Sequence, residues 1–154
     1  MRSKIILGVL LLVLAFCLTG CFSKTVISSS EFTTKMSGLG YTVIDITDQY
    51  SSIDYVNHVI VAQNVSNNFQ IEYFELSNSE YASQAYLTNI NTMESSKGSS
   101  ATGTSFSGTN YQKQTQSSNG EYWVVSRVDN TFIFAHTSDA NKDAVNNVLD
   151  TLGY

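Results

Sequence analysis

The two histidines of the chain are the first residues whose side chains could do chemistry. His58 lies among apolar residues of one predicted strand, and His136 ends another predicted strand on the face of Phe132 and Phe134. Imidazole titrates near neutral pH, so either residue could act as a base or a metal ligand if it had a partner. A partly buried sheet histidine with a local hydrogen bond is the more common explanation of such a position, and the sequence favours it for both. The His-x-x-x-His and His-Glu-x-x-His spacings typical of zinc sites do not occur.

Three aspartates form a second candidate around the end of the first predicted strand, at Asp45, Asp48 and Asp54. Calcium takes several oxygen ligands, which a loop rich in Asp and Ser could supply. The spacing, glycine and terminal glutamate of an EF-hand are absent, so the sequence favours a solvated acidic loop over a calcium site. The sequence therefore predicts neither a metal nor any other cofactor.

Other catalytic patterns are excluded by geometry or by spacing. Glu72 and Glu75 lie three positions apart in a predicted strand, so their side chains should point to opposite faces and cannot form a carboxylate pair. No Gly-x-Ser-x-Gly sequence occurs, and the Gly-containing stretch at 98–108 lacks the Gly-Lys-Ser/Thr ending of a phosphate loop. No catalytic residue is assigned.

Aromatic side chains are the remaining indication of function. The chain has nine Tyr, eight Phe and one Trp. Exposed aromatic residues often serve in partner recognition, although they also fill sheet faces. Four tyrosines lie near predicted loops or strand ends: Tyr50, Tyr55, Tyr111 and Tyr122.

The elements that must position these residues follow from patterning. Ser-x-x-Glu sequences at 28–31 and 77–80 are typical of capping boxes, and apolar residues at helical spacing follow each of them. β-branched and aromatic runs predict strands. The predicted order is a helix (29–39), three strands (41–47, 56–63, 69–76), a helix to about 95, three strands (111–116, 122–128, 131–137) and a last helix capped by Ser138. This order predicts a single α+β domain over 28–154, with a mainly antiparallel sheet of about six strands and the helices on one face.

The segment 95–109 stands apart, because twelve of its fifteen residues are Ser, Thr or Gly. That composition is typical of flexible coil, so we expect a flexible insert there and the polar strand 111–116 at a sheet edge.

The N-terminus has the pattern of an export signal. Arg2 and Lys4 precede an apolar run of about 12 residues, which is short of the ~20 that a spanning helix needs. The run ends in Leu18-Thr19-Gly20-Cys21, which resembles a bacterial lipobox. The resemblance implies a signal peptide over 1–20, a diacylglyceryl group on the Cys21 sulfur, and a lipidated tether over 21–27. Two acyl chains on one residue suffice for stable anchoring, at about 0.8 kcal/mol per buried CH₂.

Cleavage after Gly20 would leave 134 residues with six basic and thirteen acidic side chains, a net charge of −7. Nucleic acid and anionic lipid headgroups are both disfavoured as partners, because no basic cluster exists to neutralise phosphate. Cys17 would leave with the signal and Cys21 would carry lipid, so the folded domain has no cysteine for a disulfide or a thiolate site.

The expected location is therefore the cell membrane, lipid-anchored and facing outside the cytoplasm. In layout the chain resembles small uncharacterised lipoproteins of Gram-positive bacteria, which implies no activity. The sequence favours a non-enzymatic binding module for a protein or a cell-wall glycan. The alternative is a wall-acting enzyme or enzyme accessory that uses His58, His136 or the aspartate loop.

Replacement of the lipobox cysteine tests the anchor. Cys21→Ala should abolish labelling by radioactive palmitate and should either release the protein or leave its signal uncut, because the acylated sulfur is gone. Cys17→Ala is the matched control and should keep the label. Unchanged membrane retention of the Cys21→Ala chain would contradict the lipoprotein assignment.

Overall fold

A computed structural model describes residues 23–154, so the predicted signal peptide and Cys21 lie outside the described residues. The described part contains three helices, namely α1 (Ser29–Gly38), α2 (Ser79–Ser95) and α3 (Lys142–Leu152). It also contains seven strands: β1 (Thr42–Asp45), β2 (Val56–Asn64), β3 (Phe69–Leu76), β4 (Thr102–Ser107), β5 (Tyr111–Ser118), β6 (Glu121–Val128) and β7 (Thr131–Ser138). Two short 3₁₀ turns occupy Thr47–Tyr50 and Asp139–Asn141.

The strands form one antiparallel sheet in the order β1-β2-β3-β7-β6-β5-β4. The α+β class and the antiparallel sheet are confirmed. The sheet has seven strands where about six were predicted, and the element order is α-βββ-α-ββββ-α. The pairing of β3 with β7 joins the two halves of the chain in the middle of the sheet, with Glu72 opposite Phe134.

The additional strand, β4, lies within the segment predicted to be a flexible insert. All six of its residues are exposed, so burial of side chains does not hold it in place. It is held by its ladder with β5, to which the hydroxyls of Thr104 and Thr115 add a contact of 2.9 Å. The Ser, Thr and Gly composition therefore correctly indicated that this segment is exposed, but it wrongly indicated flexible coil where the backbone forms a strand. Because β4 forms the edge, β5 is an interior strand and the prediction of β5 at the edge is wrong.

The helices cover both faces of the sheet, so the prediction that they lie on one face is wrong. α1 and α3 bury Phe32, Met36 and Leu149 against one face, in a core with Ile133. α2 packs on the other face, where Tyr86 contacts a second cluster. The reason lies in the central strands, whose apolar residues do not alternate with polar ones. β7 runs Phe132-Ile133-Phe134-Ala135 and β6 contains Val124-Val125, so both faces need cover.

The helix ends follow the predicted capping in one case and depart from it in two. The capping box of Ser28 and Glu31 is present, and hydrogen bonds from Ser28 hold the pKa of Glu31 below its usual range. At α2 the cap is Asn78, which accepts from two backbone amides, and not Ser77. Ser138 makes no side-chain cap, because a 3₁₀ turn separates it from α3.

Gly103 gives a test of the β4 ladder. A Cβ at this position would lie 2.2 Å from the Thr115 carbonyl oxygen, so Gly103→Ala must push β4 away from β5. We expect faster hydrogen exchange of the β4 and β5 amides with a small change in the thermal midpoint, because β4 buries no side chain. Gly38→Ala, whose Cβ would meet nothing within 4 Å, is the control and should leave this exchange unchanged. Unaltered exchange in Gly103→Ala would show that β4 is not paired as described.

Candidate ligand-binding groove

The face of the sheet that carries α2 is only partly covered. α2 contacts β6, β7 and β3, and the 3₁₀ turn Thr47–Tyr50 contacts β2 and reaches Phe74 of β3 through Tyr50. Between these two covers, β3 and β7 form the floor of two open clefts of about 460 and 520 Å³. Glu72 and Phe134 line both clefts, so the two clefts adjoin. We call the two adjoining clefts together the α2-side groove.

The lining of the cleft of about 460 Å³ is rich in aromatic side chains. On its floor Phe74 and Phe132 stack with ring centroids 4.8 Å apart, and Tyr50 meets Phe74 edge-on at 6.0 Å. At its end Tyr55 and Tyr81 stack at 4.4 Å and join the loop before β2 to the first turn of α2. We call this part the aromatic cleft. Its size falls in the range of ~300–1,000 Å³ that is usual for ligand sites, and its lining is the mainly apolar kind found in them.

The other part, which we call the polar cleft, is lined by side chains that form hydrogen bonds. Its polar residues are Gln63, Asn64, Asn68, Gln70, Glu72 and His136. Gln70 Nε2 donates to Glu72 Oε1 at 2.8 Å, which fixes the orientation of both side chains. The groove therefore changes from aromatic to polar along its length, with Glu72 and Phe134 at the boundary.

His136 stands at the polar end with two partners from β6. Its Nε2 lies 2.8 Å from Glu121 Oε2, and its ring stacks on Trp123 with centroids 3.6 Å apart. Trp123 also meets Phe134 edge-on at 5.9 Å. The antiparallel register places Trp123 directly opposite His136, so the sheet itself sets this geometry. The His136 and Glu121 side chains are 38% and 49% exposed, which leaves them open to a ligand.

The structure does not bring the other candidate residues to this groove. His58 lies opposite Glu75 on β3. Glu75 accepts hydrogen bonds from the Ser29 amide and the Tyr73 hydroxyl, whereas Glu72 lines the α2-side groove. The prediction that these two glutamates point to opposite faces agrees with this placement.

The three aspartates do not assemble a cation site. Asp45 accepts the Thr47 amide at 2.8 Å, and hydrogen bonds from the Thr47 hydroxyl and amide hold the pKa of Asp45 below its usual range. This is the pattern of an Asx turn, which explains the aspartate by local structure. Among residues 23–154, no three His, Cys, Asp or Glu side chains lie close enough together to hold a metal ion.

Two of the four tyrosines singled out in the sequence line the groove, and two do not. Tyr50 and Tyr55 belong to the aromatic cleft. Tyr111 and Tyr122 are buried in the core on the opposite face, with 4% and 1% exposure. Sequence reasoning missed Phe74 and Gln70 as groove residues. The alternation of β3 was the available signal. Phe69, Ile71 and Tyr73 share one face of the strand, so Gln70, Glu72 and Phe74 must share the other face.

Comparison with known proteins finds no matching family model, no matching curated protein and no matching solved structure. Over residues 23–154, the helices are too short or too polar to cross a bilayer.

Because Trp123 is the only tryptophan, its fluorescence reports the contact with the His136 ring. His136→Ala should uncover the stacked face of the indole ring and move the emission maximum to longer wavelength. His58→Ala is the matched control and should leave the emission spectrum unchanged. The same spectrum in the wild type and in His136→Ala would contradict the stacked geometry.

Proposed function

We propose that this protein is a lipid-anchored, extracytoplasmic binding module that has no catalytic activity of its own, and that its α2-side groove binds a segment of a neutral cell-wall glycan. The lipobox pattern around Cys21 supports the anchor and the location. The observation that carries the binding role is the pair of adjoining clefts over β3 and β7, one of them aromatic and the other polar.

The shape of the groove suits an extended chain. Its floor runs along β7 from Phe132 to His136, roughly 14 Å at the rise of an antiparallel strand. β3 and β7 are interior strands with partners on both sides. A peptide therefore cannot add to the floor as a further strand, which is the commonest way in which a sheet offers its backbone to a partner. Recognition must come from side chains.

The chemistry of the groove suits a sugar polymer. A sugar ring has apolar C–H faces, which pack on aromatic rings, and hydroxyls at its rim, which hydrogen-bond to amides and carboxylates. The groove offers these two kinds of group side by side, for example Phe134 beside Glu72 and Gln70. No Lys or Arg is among the described residues that line either cleft, which disfavours anionic ligands such as phosphate-rich polymers.

The polar end of the groove provides the direct test. We expect the lipid-free mature chain to bind purified cell-wall sacculi and to change its Trp123 emission when soluble fragments of the glycan are added. His136→Ala and Gln70→Ala should each weaken binding, and His136→Ala by about tenfold, or about 1.4 kcal/mol, as is typical of a central contact. Asn147→Ala, an exposed position on α3 on the other face, is the matched control and should bind as the wild type does.

Two binding results would overturn parts of this proposal. Binding to sacculi that is insensitive to both groove variants would place the site elsewhere. Capture of a surface protein in place of sacculi would make the partner a protein.

Hydrolysis of the glycan would favour a second function, that of a wall-acting enzyme. The specific observation for it is the contact of His136 Nε2 with Glu121 Oε2 beside the polar cleft. Glu121→Gln separates the two functions, because it should abolish hydrolysis in the enzyme while a binding module would keep its affinity for the glycan.

A further inference from the structure

The first described residues are part of the fold and do not form a free tether. Lys24 donates its backbone amide to Asn110 Oδ1 at 2.9 Å, and its carbonyl accepts from Asn110 Nδ2 at 2.9 Å. The Lys24 ammonium lies over the Tyr111 ring, 3.8 Å from the centroid. The segment is thus held to the start of β5 by two reciprocal hydrogen bonds and a cation–π contact.

The next residues are held more tightly. Ile27 is buried in the core between the sheet and α1, and its carbonyl accepts the Tyr73 hydroxyl at 2.8 Å. Val26 packs against the same core. Residues 24–27 therefore run along the sheet on the face that carries α1 and α3, opposite the α2-side groove.

We propose that residues 24–27 seat the domain directly on the bilayer, so that the end of the sheet around Asn110 faces the lipid headgroups and the polar cleft of the α2-side groove lies at the end away from them. This inference rests on the proposed lipid on Cys21. Only Phe22 and Ser23 separate that residue from the docked Lys24. Three peptide units span at most about 11 Å, so the lipid and Asn110 cannot move far apart.

The loops identify which residues face the membrane and which do not. Asn110 accepts the Asp129 amide, and Asn130 bonds to Leu76, so the ends of β3 and β6 gather at the anchored end. The opposite end of the sheet holds the 64–68 loop and the β5–β6 turn. Strand β7, eight residues long, separates the two ends by roughly 24 Å. The polar cleft lies at this far end.

Charge does not oppose such a seat. The anchored corner carries four basic and four acidic residues, namely Lys24, Lys35, Lys113, Arg127, Glu31, Glu75, Asp129 and Asp150. The corner is therefore about neutral on a mature chain whose net charge is −7, so an anionic leaflet repels it less than the rest of the surface.

Site-specific fluorescence on vesicles tests the seat. In the mature lipoprotein Cys17 would be absent and the Cys21 sulfur would carry lipid, so an introduced cysteine is the only free thiol. Three exposed positions suit a thiol-reactive fluorophore: Thr109 at the anchored end, Val65 at the far end and Leu87 on the outer side of α2. The variants Thr109→Cys, Val65→Cys and Leu87→Cys are reconstituted on phosphatidylcholine–phosphatidylglycerol vesicles containing a lipid with a nitroxide on its headgroup.

We expect quenching at position 109 to be several-fold stronger than at positions 65 and 87. A long flexible Gly/Ser insert between Ser23 and Lys24 is the control, because it uncouples the lipid from the docked segment and should equalise the three positions. Equal quenching in protein that floats with the vesicles would overturn the seat and leave the anchor standing. Protein that fails to float would contradict the anchor itself.

Trypsin adds a second readout that does not depend on the vesicles. Docking should protect the bond after Lys24, and Asn110→Ala should speed its cleavage several-fold by removing both side-chain hydrogen bonds. Asn147→Ala should cleave at the wild-type rate. Equal rates in all three proteins would show that Lys24 is not docked.

Discussion

The structure depends on the burial of both faces of the central strands β3, β7 and β6. Each carries large apolar side chains in both directions, as in the run Phe132-Ile133-Phe134-Ala135 of β7. Burying such side chains contributes about 1.5–3 kcal/mol each, so neither face can be left to water. α1 and α3 cover one face over the central strands, where Tyr73, Val124 and Ile133 are fully buried. α2 is a single helix and covers the other face only in part. The α2-side groove is the region that this incomplete cover leaves open.

The two faces consequently have different roles. On the α1 and α3 side, Tyr73 stacks on Phe32 at 4.8 Å and donates to the Ile27 carbonyl, so the same core holds the first residues of the domain. Burial raises the pKa of Tyr73, which keeps the phenol protonated as a donor. On the α2 side, rings such as Phe134 remain partly exposed beside polar side chains. One face thus stabilises and positions the domain, and the other presents a surface for a ligand.

Local patterning was enough to predict most of the elements. The capping box at Ser28, the apolar stripe of Val145, Leu149 and Leu152, and the strand 69–76 all follow from short-range physical rules. The groove could not be predicted, because it depends on the pairing of β3 with β7, whose residues are about 60 positions apart. The uninterrupted apolar runs of β6 and β7 were the available signal that both faces are covered. β4 was missed because its stability comes from a backbone ladder, which composition does not report.

Mapping of backbone amide signals by nuclear magnetic resonance tests the proposed binding site most directly. The isotope-labelled, lipid-free mature chain would be titrated with soluble cell-wall glycan fragments, and shift changes would be assigned to residues. We expect shift changes concentrated at Gln70, Glu72, Trp123, Phe134 and His136, with the face that carries α1 and α3 unaffected. Changes centred on α1 and α3, or none at saturating glycan, would contradict the claim that the α2-side groove binds a glycan.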